Sequence, residues 1–503
     1  MATAHGRGRT LAALLAVTLF PSSAHGAGLY FADRGVRPAG RAGAFIAGAD
    51  DLGAIAYNPA GFYESGAQLL IDASWLNFTS DYTRRSLVDQ VDPNTGEPTG
   101  TQFERTFPSV HGSSPVLPIP TIAVSFQPHR QWVVAIGMWA PYAAIASYPS
   151  EVEGGPAPQR YSLLTLDGSA LAFLGAGAAF APNDQWRIGA AIGVLAGTFK
   201  STVVFSGCVP DRFFCAPEQP AWDVLSELSV GPIVAPAGEI GAIYIPSKDW
   251  RFGLSFQSPV YVRASGTVKT RLPSAPVFAE AAQDGEDVDV SFDLPWNVRA
   301  GVEMRAVENL RLELGFGYER WGMHDEIVVD PDGIALTNVA GFPERYNLPN
   351  VRFPRNFQDS FSARVGGEYA LTLGGYQLDG RAGLSYETSA IPQEYLTVLT
   401  LDAAKVTMSL GLGVHVGKFR FDVVYAHVFG LDSTVEPEQA RATQVSPLVA
   451  RPAERPNYIN GGDYQARADV FGLGLVYQFE EAPKSVEVTD PAAAPATSQP
   501  APR

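Results

Sequence analysis

From residue 66 onward apolar and polar residues alternate with a period of two. In 406–416, Val406, Met408, Leu410, Leu412, Val414 and Val416 fall on one face, and Thr407, Ser409, Gly411, Gly413 and His415 on the other. That is the side-chain alternation of a β-strand. Residues 310–319 set Leu310, Leu312, Leu314, Phe316 and Tyr318 against Arg311, Glu313, Gly315, Gly317 and Glu319. Residues 467–479 set Phe471, Leu473, Leu475, Tyr477 and Phe479 against Gly472, Gly474, Val476 and Gln478. Such runs predict fourteen strands, near 66–78, 120–127, 131–140, 167–181, 186–206, 226–246, 250–270, 288–306, 310–329, 359–370, 376–390, 405–416, 419–429 and 467–479.

The connections between these runs are alternately short and long. Turn-formers supply the short ones at 128–131, 182–185, 246–249, 307–309, 371–375 and 417–418. The long ones cover 79–119, 141–166, 207–225, 271–287, 330–358, 391–404 and 430–466. A soluble sandwich also alternates apolar and polar residues, but its strands are short and its loops are not segregated to one end. Long strands with long loops on one side only predict an all-β, 14-stranded antiparallel transmembrane β-barrel. In a membrane every backbone donor must be paired, so the sheet closes. Trp132, Trp186 and Trp250 each follow a short turn, where an aromatic girdle belongs.

The N-terminus divides the chain further. Residues 1–26 carry basic residues, the apolar run 11–20 and then small residues, the three parts of a secretory signal peptide. Ten apolar residues reach only about 15 Å, too short to span a bilayer as a helix. Residues 27–65 are small and glycine-rich, yet Phe31, Phe45, Ile46, Ile55, Tyr57 and Phe62 make them too apolar for a linker. They are expected to form a packed insert, with Asp50 and Asp51 capping a short helix and Asn58-Pro59 starting a turn. Residues 66–479 then form the barrel, and the Pro/Ala-rich stretch 480–503 is a disordered tail.

Composition narrows the function. The 503 residues are 46% hydrophobic and 17% charged with a net charge of −16, which repels phosphate backbones and argues against nucleic acid. Neither a nucleophile elbow nor an H-E-x-x-H or phosphate-loop pattern occurs, so no enzyme, metal or cofactor is expected. Cys208 and Cys215 share one long loop in an exported chain, where a disulfide is expected. Arg299, Glu303, Arg305, Arg311, Glu313, Glu319, Asp379, Arg381, Arg420 and Asp422 fall on lumen-facing positions. They read as ion pairs between strands rather than as a ligand site. Acidic residues in the first long loop could meet divalent ions of lipopolysaccharide, although a solvated surface is the simpler reading.

Residues 35–60, GVRPAGRAGAFIAGADDLGAIAYNPA, resemble the opening of the FadL family of outer-membrane transporters of long-chain fatty acids, which also includes importers of aromatic hydrocarbons. The likeness rests on Gly35, Gly40, Arg41, Ala42, Asp50-Asp51 and the tripeptide Asn58, Pro59, Ala60. It implies a monomer in the outer membrane of a Gram-negative cell, inserted by the barrel-assembly machinery. Residues 27–65 would then be a hatch plugging the lumen, and hydrophobic small molecules would be captured by loops, held in an apolar pocket and released sideways. Asn58, Pro59 and Ala60 become gate residues. By position Gly137, in the third strand, is the expected site of the kink that opens the wall. The other reading is a structural or adhesive barrel whose loops bind external partners.

Overall fold

In the computed structural model, residues 34–114, 118–143, 147–208, 215–430, 432–448 and 456–479 are described. The signal peptide and the tail expected at 1–26 and 480–503 lie outside them. Period-two alternation is realised throughout. The first seven barrel strands are β1 (Gln68–Val91), β2 (Val110–Ser113 and Pro118–His129), β3 (Trp132–Ala143), β4 (Ala170–Phe180), β5 (Trp186–Ser206), β6 (Asp223–Ser247) and β7 (Trp250–Gln257 and Val260–Arg271). The remaining seven are β8 (Asp287–Leu294 and Asn297–Val307), β9 (Leu310–Glu319 and Glu326–Pro331), β10 (Val351–Pro354 and Ser360–Leu373), β11 (Tyr376–Glu387), β12 (Lys405–Val416), β13 (Phe419–Gly430) and β14 (Gly462–Gln478). Each pairs antiparallel with its sequence neighbours, and β14 returns to β1 in unbroken register from Gln68↔Gln478 to Arg84↔Gly462. The sheet is closed with the expected fourteen strands, but β1 runs well past its expected end at 78, and Pro98–Thr106 folds back on it as an added hairpin within the expected loop 79–119.

Burial runs opposite to that of a soluble sheet. Met408, Leu410 and Leu412 are exposed while Ser409 is buried, and Leu314 and Phe316 are exposed around a fully buried Glu313. An apolar face turned outward is stable only against lipid. Trp132, Trp186 and Trp250 are exposed at the start of their strands, Trp132 stacking on Phe180 and Trp186 leaning on Tyr244. Two-residue turns at Lys248-Asp249, Gly374-Gly375 and Gly417-Lys418 join strands at this rim. Both glycines of the 374–375 turn have positive φ (60° and 88°), which a residue with a Cβ adopts only with strain.

At the other rim the strands outrun the membrane. β6 has 25 residues, about 80 Å at 3.3 Å per residue, against an apolar band of roughly 25 Å. The overhang and the long loops fold onto one another around a core that includes Tyr82, Leu163, Leu195, Val230, Val262 and Trp321. β9 departs from the expected continuous run, breaking into a 3₁₀ turn at Trp321–Met323 before resuming. Trp321 there is fully buried, its Nε1–H donating to Glu319 Oε2 at 2.7 Å.

Candidate functional site

Residues 34–66 lie inside the barrel as short helical turns, Val36–Ala39, Leu52–Ala56, Pro59–Gly61 and Phe62–Ser65. Local chemistry sets the turns: Asp51 accepts from the Gly53 amide at 2.9 Å, and Asn58 accepts from the Ala60 amide at 3.1 Å. The turns are too short to be stable alone, and the wall supplies what they lack. Glu313 of β9 accepts the amides of Ile46, Ala47 and Gly48 at 2.6, 2.9 and 2.9 Å. Arg41, wholly buried, reaches Glu303 and Glu313 at 2.9 and 3.2 Å. Arg37 reaches Glu368 of β10 at 2.8 Å and Asp50 at 2.6 Å, and Asp51 takes Arg420 of β13 at 2.6 Å.

The lumenal charges therefore do more than pair strand with strand. Arg381 does bridge to Glu368 and Asp422 at 2.6 Å each, but Arg37, Arg41, Asp50 and Asp51 insert into that network from the segment itself. Burial opposes ionisation of Asp50, yet Arg311, Arg37 and Arg305 outweigh it and hold the carboxyl well below the usual range. Burial likewise works against Asp51, which Arg37 and Arg420 hold down.

Asn58, Pro59 and Ala60 press on the wall at β5 to β7. The Asn58 amide donates to the carbonyls of Ile46 at 3.0 Å and Ala242 at 3.3 Å, and Ser255 donates to the Tyr57 carbonyl at 2.7 Å. The facing wall residues are Gly189 and Gly241, where a Cβ would collide with Pro59 and Asn58. Just beyond, two successive inward rows on β3, β4 and β5 are entirely small: Ala135, Gly177 and Ala191, then Gly137, Gly175 and Gly193. A cavity of about 20 Å³ lies inside them, against Ile55, Phe62, Trp139 and Phe173. On the lipid side the same strands form a hollow of about 1010 Å³ floored by Gly175, Gly193 and Gly238. One layer of nearly bare backbone separates the two.

Gly137 belongs to this thin wall. It pairs regularly with Ala123 and Gly175, and the register shift falls between Trp139 and Tyr142, where Pro141 has no amide to donate. Cys208 and Cys215 are joined in a disulfide in the loop between β5 and β6. Among the described residues no cluster of His, Cys, Asp and Glu could hold a metal ion.

On the loop side of the segment the barrel holds an apolar cavity of about 170 Å³. Phe199, Val203, Val268, Val329, Leu336 and Phe353 are among the residues that line it, with strands β5 to β10 supplying most of the wall and the 441–448 loop part of its cover. Phe199, Val203, Val268 and Val329 lie in runs whose period predicts strands, whereas Leu336 and Phe353 fall in the expected loop 330–358, and only the fold collects them in one place. Arg355, at the edge of this cavity, carried no signal in the sequence at all.

The family model for outer membrane protein transport proteins (OMPP1/FadL/TodX) matches residues 17–479. The chain belongs to this family. It is thus a transport channel of the outer membrane, of the class that carries hydrophobic compounds, and not an enzyme. No curated protein matches the sequence. Among solved structures, a Pseudomonas aeruginosa FadL homologue is similar over 90% of this chain and 100% of its own, at 14% identity and a TM-score of 0.69. The Ralstonia pickettii toluene transporter TbuX covers 89% and 99% at 12% identity and 0.54, and the P. putida toluene transporter TodX 85% and 94% at 14% and 0.55. Likeness at such identity speaks for the fold alone.

Proposed function

We propose that this member of the FadL family imports small hydrophobic molecules passively, holding them in the 170 Å³ cavity and releasing them sideways into the bilayer through the thin wall of β3 to β5. The observation that carries the reading is the division of the lumen just outside the plugging segment. On β3 to β5 two successive inward rows are only Gly and Ala, and the row beyond them is the apolar Trp139, Phe173 and Leu195. On β6 to β9 the paired inward positions are Glu239, Gln257, Asn297 and Glu319, and on β11 and β12 they are Glu387 and Lys405. An apolar molecule leaving the cavity meets hydrogen-bonded polar groups on one side and bare apolar backbone on the other. Burial is worth about 0.8 kcal/mol per CH₂, so the apolar side keeps that gain along the path to lipid.

Cavity size bears on the substrate. About 150 Å³ of apolar space holds one benzene ring, so the cavity as it stands suits a molecule of about one ring. A long acyl chain requires it to widen. Asn58, Pro59 and Ala60 act as the gate in this reading, because they wedge the segment against the wall beside the small rows. The test is uptake of toluene and of oleate by cells lacking other hydrophobic importers, with the wild-type chain and with Asn58→Ala/Pro59→Ala. Toluene uptake lost in the double variant, with the folded barrel still in the outer membrane, supports the gate. Uptake of neither compound by the wild type refutes import and turns attention to external partners of the loops.

A further inference from the structure

Three arginines border the apolar cavity, and two are already engaged. Arg352 is exposed and pairs with Glu326, while Arg441 donates to the carbonyls of Glu438 and Ala440 at 2.8 and 2.7 Å. Arg355 is different. It is only 8% exposed, its Nε has no hydrogen-bond partner, and among the described residues no carboxylate pairs with it. Its guanidinium carbon lies 6.0 Å from the centre of the Phe353 ring, and the titratable group it acts on is His324, which supplies no negative charge. A buried cation without a counter-charge is costly unless something completes it. It sits outside the lipid band, since on β10 the lipid-facing residues begin at Phe361. Burial pulls Arg355 down to about 10, which still leaves it cationic at neutral pH.

The chain fixes Arg355 in place from both sides. Its amide donates to the Asp325 carbonyl at 2.7 Å, tying the break in β10 to the break in β9. Pro354 precedes it and Phe357, buried against Trp321, follows it. We infer that Arg355 is the specificity-determining residue of the capture cavity and that the preferred ligand is a monocarboxylate whose hydrocarbon part is about the size of one ring, its carboxylate on the guanidinium and its hydrocarbon among the apolar side chains. This rests on the cavity being the capture site, as proposed above. A guanidinium offers a planar fork that matches a carboxylate, which a neutral hydrocarbon cannot use.

The test is equilibrium binding to the full chain in lipid nanodiscs at pH 7, with empty nanodiscs as the background. The probes are p-toluate, its neutral methyl ester and p-xylene, in which a methyl group replaces the carboxylate. Wild type should bind p-toluate at least 10-fold more tightly than the ester, and Arg355→Met should weaken p-toluate by about 10- to 100-fold while leaving p-xylene within about twofold. Retained p-xylene binding shows that the variant's cavity is folded. If the variant does not fold, the acid-against-ester comparison on wild type decides. Binding of p-xylene with no preference for p-toluate, or an unchanged p-toluate affinity in Arg355→Met, overturns the role of Arg355 and leaves the capture reading standing. Binding of none of the three probes overturns both.

Discussion

Truncating Glu313 should unseat the lumenal segment without unfolding the barrel. This one carboxylate accepts three consecutive amides, from Ile46, Ala47 and Gly48, and one guanidinium, from Arg41. Glu313→Ala leaves all three amides without an acceptor and Arg41 with only Glu303. Breaking a buried ion pair costs roughly 3–5 kcal/mol, and each buried amide left unsatisfied about 1–3 kcal/mol. Because groups on one carboxylate do not add, about 5 kcal/mol is a conservative sum for docking, a shift of roughly a thousandfold or more in the docked-to-undocked ratio. Glu313 itself contributes one side chain to a strand with ten backbone partners on β10, so the barrel has little reason to open.

The assay is conductance in planar bilayers alongside hydrogen exchange of the 46–48 amides. Eight strands fill their interior with side chains and 16 to 18 leave a water channel, so a fourteen-stranded lumen with its plug displaced should conduct. Expected are a quiet wild type, an Ala variant with open-channel current and fast exchange at 46–48, and a Glu313→Gln variant between them, since its remaining oxygen still serves Ile46 and Ala47. A Glu313→Ala protein that stays closed and protects those amides as well as wild type would refute the view that this carboxylate anchors the segment.

The wall gives a matching steric prediction: Gly193→Leu fills the small rows, where even a Cβ would approach the Leu174 carbonyl to 2.5 Å, and should abolish toluene uptake while leaving conductance silent. Retained uptake would place the exit elsewhere. Asp50 and Asp51 are held below the ordinary carboxylate range, so their contribution to docking is complete above about pH 4 and is lost only as pH falls through their depressed values. The pore should therefore remain closed from pH 7 down to pH 5 in the same bilayers, and opening within that window would contradict the pairing. Reducing Cys208–Cys215, whose neighbour Gly207 borders the cavity, should weaken hydrophobic ligand binding while the heat-modifiable barrel persists on a gel; unchanged binding would separate that loop from capture.

Strand number and position were legible because a closed barrel lets each strand state its own environment: lipid on one side and lumen on the other, residue by residue. Leu410 and Ser409 carry that message without knowing their neighbours. Asn58 and Asp51 were readable as caps for the same local reason. The break in β9 was not, since Trp321 sits in a run that could continue as a strand, and it is the packing of Phe357 and His324 around the indole that turns the chain. Nor could the partners of Arg37 and Arg41 be read. Their glutamates on the wall lie hundreds of residues away, and nothing in a period of two distinguishes a lumenal glutamate facing another strand from one facing the segment inside.

That last ambiguity bears on the proposed import path, in which one set of residues both seals and sorts. A plug held by apolar packing alone would leave an apolar lining all round, and a hydrophobic molecule would adhere to it in any direction. Here most of the charged anchoring lies on β8 to β13, through Glu303, Glu313, Glu368 and Arg420, so that flank is polar because it does the holding. Across β3 to β5 the segment meets the small rows through Ile55 and Phe62 against glycine and alanine, contacts that a passing hydrocarbon can replace at little cost, and one ion pair, Glu64 with Arg187 at 3.0 Å, holds it nearer the turn end of β5. The two flanks differ in what it takes to part them: a network of charged hydrogen bonds on one side, and on the other mostly interchangeable apolar area with a single ion pair. On the proposed import path the segment parts most easily from the small rows of the thin wall, which is where an apolar cargo gains most by arriving.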